Sequence, residues 1–398
     1  MYKSFSITFA AKLYSRIITL LLFAYLARKM TFVDFGQFSF LWVLQNSLVP
    51  LILFGSNVLL IVNTNVQNYI QSIKVISYNF LLLTLSFLFV DHDVIIAISS
   101  AYFISIVRVN VAYLRGLKQI KRAETGEQLI YSTFLAAIMI VIPSVYSIYW
   151  LLITSVFTAV GTFFIVLGYL LRRDGTIRLE LRHFYKQGLS LFASNLSSYL
   201  GFSSLRLLSG FIGNALFVGQ LQPVFQLGQS SNLLTNAFKL TVLSEEKFSI
   251  QRKTRVLLWI QYLILLFLTL FGNRLISILY GPDFVFINSY LKMFIVPLSL
   301  NVVGSVFVSI IIKQNEHIIL RYASLIGIII NISLSVLFLL QENYEFAFIG
   351  SILGISMTNI LVILSYMLKR ETRFRTFSFV ILDYAAFILI YGICIFFV

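Results

Sequence analysis

The chain has 398 residues, of which 59% are hydrophobic and only 11% are charged. Soluble globular domains carry roughly 25% charged residues, so this composition excludes a soluble fold and predicts an all-α integral membrane protein. The net charge of +15 would also suit a nucleic-acid-binding protein. The Lys and Arg residues are concentrated in short connections between apolar runs, however, so we expect no nucleic-acid partner and expect contact with anionic membrane lipids.

Apolar runs long enough to cross a bilayer occur about thirteen times along the chain. A spanning helix needs about 20 mostly apolar residues, and backbone groups in lipid must be satisfied inside helices or closed barrels. These runs are too long and too continuously apolar for barrel strands. They predict helices at 7–28, 36–62, 73–90, 94–114, 128–147, 149–171, 187–212, 215–242, 256–280, 286–312, 318–340, 346–368 and 377–397.

The distribution of cations between these helices predicts their orientation. Lys and Arg accumulate in alternate connections, above all at 172–186 and 243–255. The opposite connections carry only Arg28, Lys29 and Arg274. Connections rich in Lys and Arg stay on the cytoplasmic side. We therefore expect a multi-pass protein with its N-terminus in the cytoplasm.

Two similar segments suggest an internal repeat. FGQF at 35–38 opens the second predicted helix, and VGQL at 218–221 opens the eighth, six helices later and in the same orientation. Such spacing is typical of parallel repeats related by an axis along the membrane normal. We predict about 12–13 transmembrane helices in two parallel six-helix lobes, an N-lobe at 1–180 and a C-lobe at 181–370, with an additional C-terminal helix at 371–398.

Polar residues within the predicted helices form stripes. At 100° per residue, those of helices one, two, seven and eight share a face within each helix. A polar stripe in lipid either packs against another helix through hydrogen bonds or faces a water-filled cavity. The stripes contain Lys12 and Arg16 in helix one, Asn46 and Asn57 in helix two, Asn195, Tyr199 and Arg206 in helix seven, and Gln222, Gln226 and Gln229 in helix eight.

Arg16 is the deepest of the cations. It lies about nine residues into helix one, roughly 14 Å deep at 1.5 Å per residue, where an Arg costs about 2.5–3.5 kcal/mol. Lys12, Arg108 and Arg206 lie nearer to helix ends and can snorkel. The pattern predicts only one buried carboxylate, Asp383. The interior cations therefore lack protein partners, and phosphate would suit the planar fork of donors that Arg offers.

Several short motifs follow one another along the chain. They are Arg16, LAR at 26–28, DFGQF at 34–38, LFG at 53–55, SNLSS at 194–198 followed by Arg206, VG at 218–219 and LYGPDF at 279–284. In this order and spacing they resemble the Wzx-type O-antigen flippases, in the polysaccharide-transporter branch of the multidrug/oligosaccharidyl-lipid/polysaccharide exporter superfamily.

The resemblance implies a function. Proteins of this family have two six-helix lobes around a central cationic cavity. By alternating access they move an undecaprenyl-pyrophosphate-linked oligosaccharide, an O-antigen repeat unit for lipopolysaccharide, to the periplasmic leaflet of the bacterial inner membrane. Arg16, Arg28 and Arg206 match cationic positions expected to face the cavity. An acidic residue often precedes the helix-seven Arg, whereas this chain has Leu205.

From the stripes and the resemblance together we expect a set of substrate-binding residues. The pyrophosphate would bind the cations, and the sugar hydroxyls would bind the amides. A polysaccharide polymerase and a chain-length regulator are the further expected partners. The predicted substrate-binding residues are Lys12, Arg16, Arg28, Arg206, Asn46, Asn57, Asn195, Gln222, Gln226 and Gln229.

Two other functions are open. A cation-coupled small-molecule exporter of the same superfamily would use intramembrane carboxylates, for which Asp383 is a poor lone candidate. A membrane-embedded polysaccharide polymerase would need catalytic groups on sizeable loops, and these loops are short. The histidines His92, His183 and His317 lie apart from one another. We therefore expect no enzymatic activity, no catalytic residues, no cofactor and no metal site.

Overall fold

All regular structure in the described part of the chain is helical. The computed structural model describes residues 2–62, 64–87, 91–141, 147–170, 185, 192, 199–244, 250–313, 317–369 and 371–397. Together with eight helices that could cross a membrane, this confirms the predicted all-α membrane class.

The first half of the chain forms long α-helices together with two short ones, α3 and α6. They are α1 (Tyr2–Lys29), α2 (Phe32–Leu53), α3 (Ser56–Val62), α4 (Val66–Ser86), α5 (His92–Gly116), α6 (Ile120–Glu124), a π-helix (Thr125–Ile130), α7 (Tyr131–Val141) and α8 (Ser147–Leu170).

The helices of the second half are longer. They are α9 (199–211), α10 (Ala215–Ser244), α11 (Ile250–Tyr280), a 3-10 helix (Pro282–Ile287), α12 (Asn288–Lys313), α13 (His317–Leu340), α14 (Tyr344–Lys369) and α15 (Glu371–Phe397).

Eight helices in the described ranges are long and apolar enough to span a membrane. Shorter or more polar helices α4, α7, α10 and α15 occupy further predicted positions, so the total of 12–13 stays a prediction. The eight spans are Ser6–Lys29, Phe32–Leu53, His92–Gly116, Tyr149–Leu170, Leu258–Tyr280, Pro282–Val308, Tyr322–Leu340 and Tyr344–Met367.

The chain forms two compact units. The first contains residues 1–22 and 37–199, and the second contains residues 23–36 and 200–398. The predicted lobe boundary near residue 180 lies outside the described residues, so the lobe limits stay a prediction. The predicted C-terminal helix corresponds to α15, which packs on α11 and α12 within the second unit.

The second predicted helix is interrupted, which the continuous range 36–62 did not anticipate. Phe54 and Gly55 have φ angles of 46° and 76°, in the left-handed region that ends a right-handed helix. The Phe54 ring packs against Tyr185 at 5.2 Å between centroids. Because the break separates Asn46 from Asn57, helical spacing no longer places these two amides on one face, and their common face stays a prediction.

Short loops with side-chain caps start the two helices that carry the similar motifs. The Thr31 hydroxyl accepts a hydrogen bond from the Asp34 backbone N–H at 3.2 Å, at the start of α2. The Asn214 Oδ1 accepts one from the Phe217 N–H at 2.9 Å, at the start of α10. Both caps satisfy backbone donors that a helix start leaves open.

The motif glycines of α2 and α10 contact each other within the second unit. A Cβ added to Gly36 would lie 1.7 Å from the Ala215 carbonyl oxygen, and one added to Gly219 would lie 2.6 Å from the Phe32 carbonyl oxygen. Neither position has room for a side chain, so the two backbones pack directly, as small residues permit in membrane helices. The similarity of FGQF and VGQL thus coincides with a contact between them.

The Gly36→Ala variant should lose about 1–3 kcal/mol of stability or more, because the added carbon forces the two backbones apart. Thermal unfolding of the detergent-purified protein measures the loss. Gly161→Ala is the matched control, since a Cβ there meets nothing within 4 Å and alanine favours the helix. Equal unfolding temperatures for the two variants would contradict the close crossing.

Candidate functional site

The cationic face of α1 lies against the segment that includes α6, the π-helix and α7. The Thr8 hydroxyl donates to Glu124 Oε1 at 3.2 Å, and the Ser15 and Ser132 hydroxyls are 2.5 Å apart. Lys12 and Arg16, which lie one and two turns beyond Thr8, are therefore held beside this segment. A π-helix inside an α-helical stretch is frequent at functional sites.

One hydrogen bond and two longer-range electrostatic interactions relate three cations to Tyr199. Arg108 Nη2 donates to it at 3.0 Å. Lys12 and Arg16 both lie within electrostatic range of the same side chain. Lys12, Arg16, Arg108 and Tyr199 are hereafter the Tyr199 cluster, and all four belong to the first unit.

A second group of charges lies beside the Tyr199 cluster. Arg115 Nη2 contacts Glu124 Oε1 at 2.9 Å and Glu127 Oε2 at 2.7 Å. Glu124 is only 1% exposed, and its Oε2 has no hydrogen-bond partner in the described part of the chain. The prediction that Asp383 is the sole buried carboxylate is therefore wrong, because the segment before α7 folds inward and carries Glu124 with it.

The same cations lower the pKa of Glu127. Burial raises the pKa of a carboxyl group, but Arg115, and after it Arg108 and Lys12, outweigh burial and hold the pKa of Glu127 below its ordinary value. Glu127 is therefore ionised at neutral pH. Its negative charge offsets part of the positive charge of Lys12 and Arg108.

Asp383 is engaged elsewhere. Both of its oxygens accept hydrogen bonds at 2.9 Å from Arg255, one from Nε and one from Nη2. This bidentate pair joins the start of α11 to α15 in the second unit. Asp383 is 3% exposed, and it is neutralised by a cation that the sequence pattern assigned to a loop.

Arg16 and Lys12 have no hydrogen bond or salt bridge to any described residue, and both are half-buried. Arg16 thus combines a deep position in the predicted span with partial exposure and unused donors. A charge in this state needs water or an anion. Among the predicted site cations, Lys12 and Arg16 are therefore the two without a hydrogen bond or salt bridge to the described part of the chain.

Arg28 is instead bound to backbone. Its guanidinium donates to three carbonyl oxygens at the end of α11, those of Leu279 at 3.0 Å, Ser277 at 3.4 Å and Ile278. Carbonyls in the last turn of a helix lack partners within the helix and attract cations. Phe32 and Phe284 pack beside it, with centroids 4.6 Å apart. Arg28 therefore joins the last turn of α1 to the end of α11.

Arg206 is buried in the second unit, at 4% exposure. Its Nη1 donates to Gln222 Oε1 at 2.6 Å, its Nη2 donates to the Phe202 carbonyl at 3.0 Å, and its guanidinium lies 4.3 Å from the Phe225 ring centroid. The structure thus brings Arg206 and Gln222 together, as two predicted site residues, but places both away from solvent.

The remaining predicted amides have mixed surroundings. Asn46 Nδ2 donates to the Trp42 carbonyl one turn back at 2.8 Å. The buried Oδ1 of Asn57 has no partner among the described residues. Gln226 is buried and Gln229 is half-buried. Asn195 lies outside the described residues, and the substrate-binding role of every amide stays a prediction.

Four residues near Lys12 and Arg16 were missing from the predicted site. Arg108 was visible as a cation in a span, but snorkelling explained it equally well. Tyr199 was visible on the polar face of helix seven. Glu124 and Glu127 had no usable signal, because the sequence placed them in a cytoplasmic connection.

Solved structures match this fold over nearly the whole chain. A lipid II flippase, MurJ, in an inward closed conformation, aligns with a TM-score of 0.70 at 17% identity over 97% of this chain and 92% of that one. A multidrug-resistance MATE transporter of the MOP superfamily, in an inward-facing conformation, aligns at 0.62, with 14% identity over 89% and 94%. A MOP superfamily transporter from Pyrococcus furiosus aligns at 0.56, with 13% identity over 92% and 96%.

No family model and no curated protein matches the sequence. At these low identities the structural likeness concerns the fold. The chain is a multi-pass membrane protein with the fold of MOP superfamily transporters, a fold used by both exporters and a lipid flippase.

Arg115→Gln should destabilise the protein by about 1–3 kcal/mol, because it removes the charged partner of the buried Glu124. The double variant Arg115→Gln/Glu124→Gln should recover part of this loss, since a neutral amide is cheaper to bury. Thermal unfolding in detergent reports both. Lys121→Gln is the control, because Lys121 is exposed; the same loss there would mean that the salt bridges contribute nothing specific.

Proposed function

We propose that the chain is a flippase that moves an undecaprenyl-pyrophosphate-linked oligosaccharide, an O-antigen repeat unit, from the cytoplasmic to the periplasmic leaflet of the bacterial inner membrane. The observation that carries this proposal is Arg16, a half-buried cation deep in a predicted span, without a hydrogen bond or salt bridge to any described residue. The oligosaccharide and the bacterial membrane come from the sequence resemblance. The fold shared with a lipid II flippase supports the class of transport.

The chemistry of the Tyr199 cluster suits a diphosphate. Arg16 offers a planar fork of donors, Lys12 offers a point charge, and Tyr199 offers a hydroxyl. Arg108 holds the Tyr199 hydroxyl in place through its 3.0 Å hydrogen bond. Charge-assisted hydrogen bonds of this kind are roughly twice as strong as neutral ones, and they are stronger still in surroundings of low dielectric constant.

The neighbouring carboxylates set the strength of this site. Glu124 and Glu127 neutralise Arg115 and lie within electrostatic range of Lys12. A diphosphate is repelled by these carboxylates and attracted by Arg16. This balance allows a transported lipid to bind without being trapped, as a carrier requires when it must release its substrate on the other side.

We leave Arg28 and Arg206 out of the diphosphate site. The donors of Arg28 are used by the carbonyls that end α11, and Arg206 is too deeply buried to meet a lipid headgroup in this conformation. The sugar would then be bound by amides with exposed surface, such as the half-buried Asn46 of the first unit. The proposed orientation has the N-terminus in the cytoplasm, and the proposed further partners are a polysaccharide polymerase and a chain-length regulator.

A cation-coupled small-molecule exporter is the alternative function. It is favoured by the fold shared with a MATE transporter and by Glu124, whose buried Oε2 has no partner among the described residues. Such an oxygen is a candidate acceptor for a coupling cation. Cells that lack the protein would then become sensitive to toxic organic cations, and expression of a Glu124→Gln variant would not restore their tolerance.

Arg16→Ala should reduce translocation of the lipid-linked oligosaccharide at least tenfold, because a charge-assisted hydrogen bond to phosphate contributes about 1.5–3 kcal/mol. Arg16→Lys should retain part of the activity, since the charge remains without the fork. Translocation is measured in proteoliposomes that contain the purified protein and an undecaprenyl-pyrophosphate oligosaccharide.

Arg274→Ala is the matched control for this experiment. It removes an exposed guanidinium near the C-terminal end of α11, and the variant should transport normally. Arg16→Ala at wild-type membrane levels and with undiminished transport would overturn the proposed site.

A further inference from the structure

The membrane spans α5 and α8 run side by side in the same direction within the first unit. Near their starts, the His92 and Tyr149 rings lie 6.2 Å apart between centroids. Further along the pair, the Ser100 and Ser155 hydroxyl oxygens lie 2.8 Å apart. The ends of the two helices are therefore at one face of the membrane. The connection that follows α5 lies at that face, at the level of the lipid headgroups.

A tight turn ends α5 and places a lysine where glycine is usual. The Lys118 N–H donates to the Arg115 carbonyl oxygen at 2.9 Å. The Gln119 N–H donates to the Leu114 carbonyl oxygen at 2.8 Å, which completes the hydrogen-bond pattern of a Schellman turn. Lys118 has a φ angle of 60°, in the left-handed region that a side chain makes unfavourable. The fold thus keeps a cation at a conformational cost that glycine would avoid, and such strain clusters at functional sites.

The charged side chains of segment 115–127 fall into two groups. Its two carboxylates, Glu124 and Glu127, both contact Arg115, and Glu124 is buried. The remaining charged side chains of the segment are three cations, all of them exposed. They are Lys118, Lys121 and Arg122, hereafter the Lys118 patch. The patch therefore presents three positive charges to its surroundings, while the carboxylates of the same segment are paired with Arg115.

Tyr169, near the end of α8, holds one cation of the patch at the membrane surface. Its hydroxyl accepts a hydrogen bond from Arg122 Nη1, and its ring centroid lies 5.3 Å from the Arg122 guanidinium carbon. Tyrosine is enriched at the boundary between hydrocarbon and headgroups, where its apolar ring and its polar hydroxyl are both satisfied. Arg122 is therefore held at the depth of the lipid phosphates.

From this arrangement we infer that the Lys118 patch binds the headgroup of an anionic phospholipid, such as phosphatidylglycerol. Phosphate oxygens accept charge-assisted hydrogen bonds from Lys and Arg, and each cation near an anionic membrane surface contributes about fivefold to the affinity. The acyl chains would lie along α8, where Phe157 and Phe164 are 61% and 66% exposed. A soluble anion has no use for this apolar surface.

The Lys118 patch is separate from the proposed diphosphate site. None of its three cations belongs to the Tyr199 cluster, and binding of an ordinary phospholipid requires no translocation. A general attraction to anionic lipid is expected of any basic connection. The exposed cations, the strained lysine and the interfacial tyrosine together define one site. Loss of phospholipid binding and loss of oligosaccharide transport are therefore distinguishable results.

The first test counts the lipids bound to the detergent-purified full chain by native mass spectrometry, with phosphatidylglycerol or zwitterionic phosphatidylcholine added. The wild type should bind phosphatidylglycerol selectively. The triple variant Lys118→Gly/Lys121→Gln/Arg122→Gln should bind it at least about tenfold more weakly, because three attractive charges are gone. Equal affinity of the wild type for both lipids, or equal affinity of the wild type and the triple variant for phosphatidylglycerol, would overturn the inference.

Arg274→Gln is the matched control for the triple variant. It removes one exposed cation from a stretch of α11 that holds no other Lys or Arg between 256 and 280. This variant should bind phosphatidylglycerol as the wild type does. A loss as large as that of the triple variant would mean that net charge, and not the Lys118 patch, determines the binding.

Inorganic phosphate distinguishes a lipid site from a site for soluble anions. At constant ionic strength, millimolar phosphate should leave phosphatidylglycerol bound, since the acyl chains contribute to the affinity of the lipid. Displacement of the lipid by phosphate would assign the patch to a soluble anion and contradict the inference.

The single variant Lys118→Gly separates lipid binding from folding. Glycine relieves the strain at a φ angle of 60°, so in detergent without lipid the variant should unfold at the same temperature as the wild type or at a higher one. Its affinity for phosphatidylglycerol should nevertheless fall about fivefold. A variant of undiminished stability that binds phosphatidylglycerol with wild-type affinity would show that the lysine has no part in lipid binding.

Discussion

The cost of a guanidinium group in an apolar surrounding dominates this structure. A guanidinium group in or beside an apolar helix must be paired, solvated or covered, and the described residues show several solutions. Arg115 and Arg255 meet carboxylates, Arg28 meets the carbonyls at the end of α11, and Arg206 meets an amide, a carbonyl and a ring. Arg16 has none of these partners. Because Arg16 lacks the partners that the other arginines have among the described residues, it is a candidate for binding phosphate.

The hydrogen bonds of the arginines that have partners also join the helices to one another. Arg28 joins the last turn of α1 to α11, and Arg255 joins α11 to α15 through Asp383. The direct crossing at Gly36 and Gly219 adds a contact without side chains at the starts of α2 and α10. These links all lie in the second unit, which includes residues 23–36 although they precede most of the first unit in sequence. Charge pairing and close backbone packing replace the hydrophobic effect, which is weak between helices in lipid.

The helices were predictable because lipid forces each apolar run to satisfy its own backbone. The break at Phe54 and Gly55 was not predictable, since LFG is apolar and hydropathy carries no information about φ. The inward position of Glu124 was missed for the opposite reason: its acidic, basic-flanked segment looks like a solvated loop. Arg16 and Lys12 were identified because a cation in an apolar run is conspicuous. Their neighbours Arg108 and Tyr199 could be joined to them only by tertiary structure.

The most direct measurement of the central claim is an experimental structure of the protein in lipid nanodiscs with undecaprenyl pyrophosphate bound. The account predicts diphosphate density within hydrogen-bond distance of the Arg16 guanidinium, with Lys12 and the Tyr199 hydroxyl beside it. Density for the diphosphate elsewhere, with Arg16 packed against acyl chains or bonded to backbone carbonyls, would contradict it.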